Sequence, residues 1–332
     1  MLFRDPPRKE VANAIKQAQR AGIKIIMITG DHPNTAQAIA KQIGMNINQQ
    51  LPPITGDGID KMDEALLQNM LLSHSVFARV KPEHKLLIVK ALRAQNHVVA
   101  VTGDGVNDAP ALKAADVGIA MGIRGSDVTR EVADLILMDD NFATIVIAIE
   151  EGRNIFENIK KFIRYLFTTN LAEVLLVAIG ASISIILGYR YADGSILLPL
   201  TAVQILWINL LTDSFPALAL SLDKNIGVMN FQPQKGSRPL LDQATLIFVF
   251  VIGVLGGAIS LLLLYLLPLY RFNLASTQTI VFSYLTIGQL LFAFPARRLI
   301  TKSEKNPFLL GAILLGVSFQ FLALMTPGLI RY

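Results

Sequence analysis

The chain has 332 residues, a formal net charge of +5 at pH 7 and no cysteine; 52% of its residues are hydrophobic and 17% are charged. The lack of cysteine excludes disulfides and thiolate metal sites. The long uncharged stretches all lie after about residue 160, so we expect a soluble region followed by a membrane region. The basic residues do not gather on one motif, which favours membrane lipid over nucleic acid as the partner.

The first 140 residues alternate helical patterns with short apolar runs. Their predicted order is helix 8–19, strand 23–28, helix 33–43, strand 76–78, helix 82–93, strand 98–101 and strand 117–120. Alternation of this kind predicts a parallel, doubly wound α/β sheet. The Gly-Asp-Gly sequence at 56–58 follows no predicted strand, and we predict a loop there.

Residues 102–113, Thr-Gly-Asp-Gly-Val-Asn-Asp-Ala-Pro-Ala-Leu-Lys, predict a loop that leaves the carboxyl end of a strand. In an open α/β sheet, ligands bind at that end. Asp104 and Asp108 stand four residues apart among glycines that allow a tight turn. Two converging carboxylates repel each other unless a cation joins them, and Mg²⁺ is the cation that these oxygen ligands favour. The alternative is an ordinary turn rich in glycine, aspartate and asparagine.

Two more positions could meet a phosphate group. Thr29 follows the strand 23–28, where its hydroxyl and the backbone N–H groups around Gly30 can hold a phosphate oxygen. A threonine at this position is otherwise a turn or capping residue. Lys85, on the helix 82–93, supplies a point charge for a phosphoryl oxygen, although a lysine on a helix is usually solvated.

The twelve-residue motif resembles the hinge motif of P-type cation-transporting ATPases, whose phosphorylation domain shares the fold of haloacid-dehalogenase-like phosphatases. Further stretches resemble the same family over nearly the whole chain: 5–8, 27–31, 80–85, 140–142 and 150–153. The Ca²⁺ pumps are the subclass of closest resemblance. What the resemblance implies is an ATP-driven, Mg²⁺-dependent cation pump.

The resemblance also implies roles for single residues. Thr29 matches the phosphate-binding threonine, Lys85 the motif lysine, and Asp104 and Asp108 the aspartates of the Mg²⁺ site. The catalytic set implied in this way is Thr29, Gly30, Asp31, Lys85, Asn107 and Asp108, with Asp104 on the metal and Asp5 and Arg8 at the nucleotide.

One family signature is missing. The nucleophile of these pumps is the first Asp of an Asp-Lys-Thr-Gly-Thr sequence, which does not occur in this chain. The resemblance therefore predicts that the amino-terminal half of the pump lies outside this chain, including the phosphorylated Asp and the nucleotide domain. We expect the isolated chain to form no phosphoenzyme from ATP.

After a partial phosphorylation domain (1–140) and a helical stalk (141–161), residues 162–332 predict a membrane domain. Five stretches are long and apolar enough to span a bilayer: 162–187, 196–220, 245–267, 279–294 and 309–325. Basic residues concentrate before the first span, between the second and third, and between the fourth and fifth, which predicts that this side is cytoplasmic. The residues at 1–5 lack the apolar core of a signal peptide, so the phosphorylation domain is expected on the same side.

Glu173 and Asp213 are the only carboxylates within the predicted spans. A carboxylate in a bilayer costs on the order of 3 kcal/mol on insertion scales, and it usually marks an ion path. Asn170 shares a helical face with Glu173, as do Asn209 and Thr212 with Asp213. Pro216 is expected to open the helix beside Asp213.

These side chains predict an all-oxygen cation site suited to Ca²⁺, with helix–helix association as the alternative role. Residues 170–173 and 209–213 resemble transport helices of Ca²⁺ pumps, whereas sodium and proton-potassium relatives tend to carry Asp where Asn209 stands. Mn²⁺ and Na⁺ stay open as alternatives. Two-site Ca²⁺ pumps carry a Glu where this chain has Gly288-Gln289, so only one ion site is expected.

Two other functions stay open on the sequence. A membrane-bound phosphatase of the dehalogenase-like class would use the same Thr29, Lys85 and Asp104, but it needs a nucleophilic Asp at the end of the first strand, and none is evident. A non-catalytic membrane remnant or assembly partner would use none of them.

Overall fold

The computed structural model describes residues 8–48, 50–190, 194–230, 232, 239–298 and 302–326. The chain forms two compact units, which are described separately. The first comprises Met1–Gly152 and Gly227–Arg238, and the second Arg153–Ile226 and Pro239–Tyr332.

The first unit contains two parallel sheets of three strands each. One has the order β1-β3-β2 and the other β4-β5-β6, and every pairing is parallel. The strands are β1 (Met27–Ile28), β2 (Ile54–Thr55), β3 (Val76–Ala78), β4 (Ala100–Gly103), β5 (Val117–Met121) and β6 (Leu135–Leu137). The helices are α1 (Lys9–Arg20), α2 (Pro33–Gln42), α3 (Gly56–Ile59), α4 (Glu64–Ser73), α5 (Pro82–Ala94), α6 (Ala109–Ala114) and α7 (Asp127–Val132). The predicted parallel α/β class is confirmed.

The helix α5 packs against both sheets of this unit. On one side Ile88 and Ala91 lie in the core beneath the first sheet, together with Phe77 of β3. On the other side Val89 packs with Val99 and Ala111, in the core of the second sheet. The helix begins at Pro82, which suits the first helical turn because its missing N–H has no intrahelical partner there. One short helix thus links the two sheets and sets the position of any side chain that it carries.

The loop predicted at 56–58 is wrong, because these residues open the helix α3. The Thr55 hydroxyl caps that helix by accepting from the N–H of Gly58 at 3.3 Å. Gly56 is packed so closely that a Cβ there would lie 2.4 Å from the Arg79 carbonyl oxygen. The side-chain cap and the close approach decide the local structure, and neither is visible in the Gly-Asp-Gly pattern.

The second unit is helical. Its elements are the part of α8 (Phe142–Leu187) after residue 152, α9 (Ala202–Trp207), a π-helical segment (Ile208–Thr212), α10 (Ser214–Ser221), α11 (Gln243–Leu266), α12 (Leu274–Arg298) and α13 (Pro307–Met325). Within the described residues, five helical stretches are long and apolar enough to cross a membrane, as predicted. The chain is a multi-pass membrane protein. The second stretch begins at Ala202 rather than 196, since Thr201 caps the helix there.

Small residues let the membrane helices approach each other. A Cβ on Gly253 of α11 would lie 2.9 Å from the Leu171 side chain of α8, and one on Gly257 would lie 3.1 Å from Leu175. Gly316 of α13 is packed in the same way against Leu290 of α12. Close backbone approach through glycine is a usual basis of helix association in bilayers, where lipid is as apolar as the side chains.

A buried ion cluster joins the loop after α10 to two helices of the same unit. The Asp223 carboxylate is fully buried and accepts hydrogen bonds from Lys161 Nζ at 2.5 Å and from the Arg297 guanidinium at 2.8 to 3.0 Å. Burial alone would raise the pKa of the Asp223 carboxyl, but hydrogen bonds from these two cations outweigh it and hold the pKa below its ordinary value. Two cations therefore offset this carboxylate.

The first sheet depends on Phe77, which is fully buried in the middle strand. Phe77→Ala should lower the free energy of unfolding of the first unit by about 3 to 5 kcal/mol, because it leaves a cavity in the core. The matched control is Leu72→Ala, since the Leu72 side chain is 63% exposed. Hydrogen exchange of the detergent-solubilised chain in increasing urea measures both effects. If the backbone amides of β1 and β3 were equally protected from hydrogen exchange in the two variants, the assignment of this core would be contradicted.

Candidate functional site

The loop after β4 turns the Asp108 side chain back toward its own backbone. Asp108 Oδ2 accepts from the N–H groups of Asp104, at 3.3 Å, and Gly105, at 3.4 Å. Asp108 Oδ1 accepts from Lys85 Nζ at 2.5 Å, and the Asp108 side chain is 9% exposed. Gly103 makes room for this arrangement, because a Cβ there would lie 2.4 Å from the Cβ of Asp108. The glycine that was predicted to allow a tight turn thus also leaves space for the Asp108 carboxylate to lie against the loop backbone.

Lys85 reaches this loop from α5. The Lys85 side chain is 27% exposed, and its ammonium group pairs with the nearly buried Asp108 carboxylate, so the structure brings two of the predicted catalytic residues together. Asp104 and Asn107 lie on the same loop with exposed side chains. The loop therefore presents one carboxylate to solvent and pairs the other with a lysine.

Thr29 and Asp31 form a second loop, after β1. The Thr29 hydroxyl donates to Asp31 Oδ2 at 3.0 Å and accepts from the Asp31 N–H at 3.1 Å. The backbone of the loop pairs with the segment before α5: Val80 N–H donates to the Thr29 carbonyl and Arg79 N–H to the Asp31 carbonyl, both at 3.1 Å. Apart from the two chain neighbours of Gly30, no atom of the described residues lies within 4 Å of a Cβ built there, so this loop is open beside Thr29.

His84 is a site residue that the sequence did not single out. It is fully buried; its Nδ1 accepts from the Lys81 N–H at 3.2 Å and its Nε2 lies 2.7 Å from Asp60 Oδ1. The hydrogen bond from His84, followed by that from Lys81, lowers the pKa of the Asp60 carboxyl below its ordinary value. His84 fixes the first turn of α5 and lies directly before Lys85. A histidine two residues after a helix-starting proline was the available signal.

The residues of the β4 loop fit a Mg²⁺ ion of the kind that keeps much of its water. Within the described parts of the chain, no group of three or more His, Cys, Asp or Glu side chains could hold a metal by itself. Mg²⁺ is usually bound by one or two carboxylates together with water and substrate phosphate. The exposed Asp104 side chain can supply one such oxygen, whereas Asp108 is engaged by Lys85.

Of the two residues predicted at the nucleotide, Asp5 lies outside the described residues. Arg8 is described, and its guanidinium donates to the Asp139 carbonyl at 3.3 Å.

The intramembrane carboxylates are held by neutral donors. Glu173 Oε2 accepts from the Asn209 amide and Glu173 Oε1 from the Gln289 amide, both at 2.9 Å. Asp213 Oδ1 accepts from the Tyr165 hydroxyl at 3.0 Å, and Asp213 Oδ2 is buried without a partner in the described structure. A buried polar atom with no protein partner is an unusual feature in a folded protein.

Two of the predicted ligands bond to their own helices. Asn170 is exposed, and its amide donates to the Leu166 carbonyl at 2.8 Å. Thr212 is buried, and its hydroxyl donates to the Ile208 carbonyl at 2.8 Å. The structure thus joins Glu173 to Asn209 directly, while neither Asn170 nor Thr212 bonds to a carboxylate among the described residues. Their role as cation ligands stays a prediction.

Tyr165 and Gln289 are membrane residues that the sequence did not assign to the carboxylates. Tyr165 lies eight residues before Glu173 on α8, close to two helical turns, so both side chains share a face. Gln289 is an amide side chain inside a predicted span, 279–294, that carries no charge. The sequence therefore shows both polar positions, but it does not identify the carboxylate that each side chain contacts.

Two family descriptions match this chain. Residues 1–116 match the family described as haloacid dehalogenase-like hydrolase, and residues 197–332 match cation transporting ATPase, C-terminus. A calcium-transporting ATPase of Bacillus subtilis (strain 168) is 42% identical over 332 residues, which cover 98% of this chain and 36% of that relative. The chain belongs to the P-type cation-transporting ATPase family.

Other members of the P-type family are similar over a smaller part of the chain. The endoplasmic reticulum calcium ATPase srcA of Aspergillus fumigatus is 45% identical over 258 residues, 76% of this chain and 25% of that relative. The P-type sodium-transporting ATPase4 of Toxoplasma gondii is 45% identical over 256 residues, 72% of this chain and 18% of that relative. This chain spans only 36% to 38% of the length of two relatives that match 98% of it. It corresponds to the dehalogenase-like domain and the carboxyl-terminal membrane region of a P-type pump.

The close packing at Gly103 gives a prediction about the loop after β4. Gly103→Ala should destabilise the first unit by about 1 to 3 kcal/mol, because the new Cβ would displace Asp108 or Leu112. Gly30→Ala is the matched control: it lies in the corresponding loop after β1, where a Cβ meets nothing within 4 Å. Urea unfolding of the detergent-solubilised chain, followed by hydrogen exchange in β4 and β5, compares the two. An equal loss of stability in both variants would contradict the packing described here.

Proposed function

We propose that this chain is the carboxyl-terminal part of an ATP-driven P-type cation pump that transports Ca²⁺. The observation that carries the proposal is the pair of intramembrane carboxylates, Glu173 and Asp213. Among the described residues they accept only from neutral donors, and Asp213 Oδ2 has no hydrogen-bond partner there. The same chain carries a dehalogenase-like loop with a paired Lys85 and Asp108. Phosphoryl transfer and ion binding thus have residues in one polypeptide.

At the phosphorylation site, Lys85 and Thr29 would hold the phosphoryl group. The Lys85 ammonium is held at the loop after β4 by its hydrogen bond to Asp108. From there it can offset charge on a phosphoryl oxygen. Thr29 presents a hydroxyl beside the open Gly30, and the exposed Asn107 amide could add a further hydrogen bond. The family is Mg²⁺-dependent and uses ATP. Mg²⁺, when bound, would neutralise charge that develops in phosphoryl transfer.

Asp104 is the residue that we assign to Mg²⁺, and Arg8, with Asp5, to the nucleotide. The Asp104 carboxylate is exposed at the carboxyl end of β4, while the neighbouring Asp108 is already paired. A nucleophilic Asp would come from the part of the pump outside this segment, as would the nucleotide domain. The phosphatase alternative shares Thr29, Lys85 and Asp104 but gives no reason for two carboxylates in the membrane spans, so no observation favours it.

In the membrane, the oxygen chemistry supports Ca²⁺. Ca²⁺ binds carboxylate, amide and carbonyl oxygens in flexible arrangements, and two carboxylates offset a double positive charge. Asn209 and Asp213 lie at the two ends of the π-helical turn, and π turns often occur at functional sites. The similar proteins include calcium-transporting and sodium-transporting ATPases, so Na⁺, together with Mn²⁺, is the alternative that a competition experiment must test.

The helix α8 supports a link between the two functions. Its first turns belong to the first unit, where Ile145 packs with Ile119 and Leu137 of the second sheet. Its later turns carry Tyr165 and Glu173. One helix of 46 residues therefore contributes residues to both units. The basic segments between spans support a cytoplasmic phosphorylation domain.

The first test concerns Mg²⁺. Asp104→Asn should weaken binding of Mg²⁺, or of Mn²⁺ as its spectroscopic substitute, by about fivefold or more, because it removes the exposed carboxylate of the β4 loop. Asp127→Asn is the matched control, since the Asp127 side chain is fully exposed on α7. Free Mn²⁺ is measured by electron paramagnetic resonance during titration of the solubilised chain. Unchanged affinity for Asp104→Asn would reject its metal role.

The second test concerns the transported ion. Asp213→Asn keeps the side-chain volume and removes one of two carboxylates, so Ca²⁺ affinity should fall by at least about tenfold, roughly 1.4 kcal/mol. The segment is grafted onto the amino-terminal half of a related pump, and Ca²⁺-dependent phosphorylation is titrated, with Mn²⁺ and Na⁺ as competitors. Ser260→Ala, a buried hydroxyl on α11 bonded to its own helix, is the control. Equal Ca²⁺ affinity for Asp213→Asn and the parent would reject the ion-site assignment.

A further inference from the structure

Gln289 occupies an unusual position in the helical unit. It lies on α12, is fully buried, and reaches across to α8, where its amide donates to Glu173 Oε1 at 2.9 Å and lies 3.4 Å from the Thr169 carbonyl. Its own carbonyl oxygen, Oε1, has no partner among the described residues. The side chain thus directs both of its N–H bonds toward acceptors on α8 and leaves its acceptor unused.

The chemistry of the neighbours fixes this orientation. A carboxylate and a backbone carbonyl can only accept, so the Gln289 amide must face them with its nitrogen. Turning the amide over would bring its oxygen against Glu173 Oε1 and remove the bond. The unpartnered oxygen is therefore a consequence of holding Glu173, which indicates that this contact determines the rotamer of Gln289.

Glu173 is held from two sides. Asn209, in the π-helical segment, donates to Oε2, and Gln289, on α12, donates to Oε1. Each carboxylate oxygen can accept more than one hydrogen bond, so the two amides orient the group without using all of its lone pairs. Neither donor is charged, so neither amide offsets a negative charge on Glu173.

We propose that Gln289 is a positioning residue of the cation site: its amide fixes the Glu173 carboxylate in the conformation that receives the cation, while adding no charge of its own. This inference rests on the proposed transport function and names a third helix, α12, as part of the site. Gln289, in place of a carboxylate, then has a further consequence besides the loss of a second ion site. It supplies a neutral donor that pre-organises Glu173, the only carboxylate in the predicted span 162–187.

The test uses the purified full chain in detergent and Ca²⁺ as the probe. Trp207 is the only tryptophan and lies two residues before Asn209, so its emission can report binding beside the site, with ⁴⁵Ca²⁺ equilibrium binding as a direct measurement. Gln289→Met keeps an unbranched side chain of similar length and should weaken Ca²⁺ binding about tenfold. Gln289→Asn retains an amide on a shorter side chain and should fall between Gln289→Met and the parent.

Gln320→Met is the matched control. Gln320 is also buried in this unit, donates to a neighbouring helix through Ser283 Oγ at 3.2 Å, and has an unpartnered Oε1, but its amide bonds to no carboxylate among the described residues. If a buried glutamine serves only to hold helices together, the two Met variants should behave alike. We expect Gln320→Met to keep the parent affinity within about twofold, with similar melting temperatures for both variants.

A double-mutant cycle separates positioning from packing. If Gln289 acts through Glu173, Gln289→Met should change Ca²⁺ affinity less than twofold once Glu173→Gln is present. A full tenfold effect in that background, or parent affinity for Gln289→Met alone, would overturn the positioning role and leave the transport function intact. A parent chain that binds no Ca²⁺, or that binds it as tightly after Asp213→Asn, would instead reject the cation site itself and this inference with it.

Discussion

Burial of a carboxylate away from water is the constraint on which the helical unit depends, since an uncompensated buried charge is strongly destabilising. The described structure meets it in two ways. Asp223 accepts from Lys161 and Arg297, so its charge is offset within the protein and the group ties a loop to two helices. Among the described residues, Glu173 accepts only from the amides of Asn209 and Gln289, which orient it without offsetting a negative charge. The identity of the donors thus separates a structural carboxylate from one that can attract a cation.

The β4 loop of the first unit shows the same division between two neighbouring aspartates. Asp108 is nearly buried and paired with Lys85, and its second oxygen is held by loop N–H groups. Asp104, four residues earlier, is exposed. The two carboxylates therefore do not face one point as equivalent ligands, as the spacing had suggested. One of them pairs with the lysine, and the other is exposed to solvent.

Sequence patterns predicted the features that depend on local order. Prolines at 33 and 82 mark the first turns of α2 and α5, and apolar runs predict five membrane spans. Features fixed by distant contacts were not predictable. Gln289 meets Glu173 across 116 residues and Tyr165 meets Asp213 across 48, and no periodicity pairs such positions. The short strands β2 and β6 carry too few residues for an alternating pattern, and their pairing depends on β3 and β5.

In the helix that carries Asp213, the expected irregularity is present, but its form and position differ from the prediction. Pro216 was expected to open the helix beside Asp213, and the irregularity is present, but it is a π turn just before that residue, in which the Asp213 N–H bonds to the Ile208 carbonyl at 2.9 Å. A π turn takes about one residue more than an α turn, so Asn209 and Asp213, four residues apart, stay on one face while Thr212, three residues after Asn209, turns away from it. This accounts for the Thr212 hydroxyl turning to its own helix while Asn209 reaches Glu173.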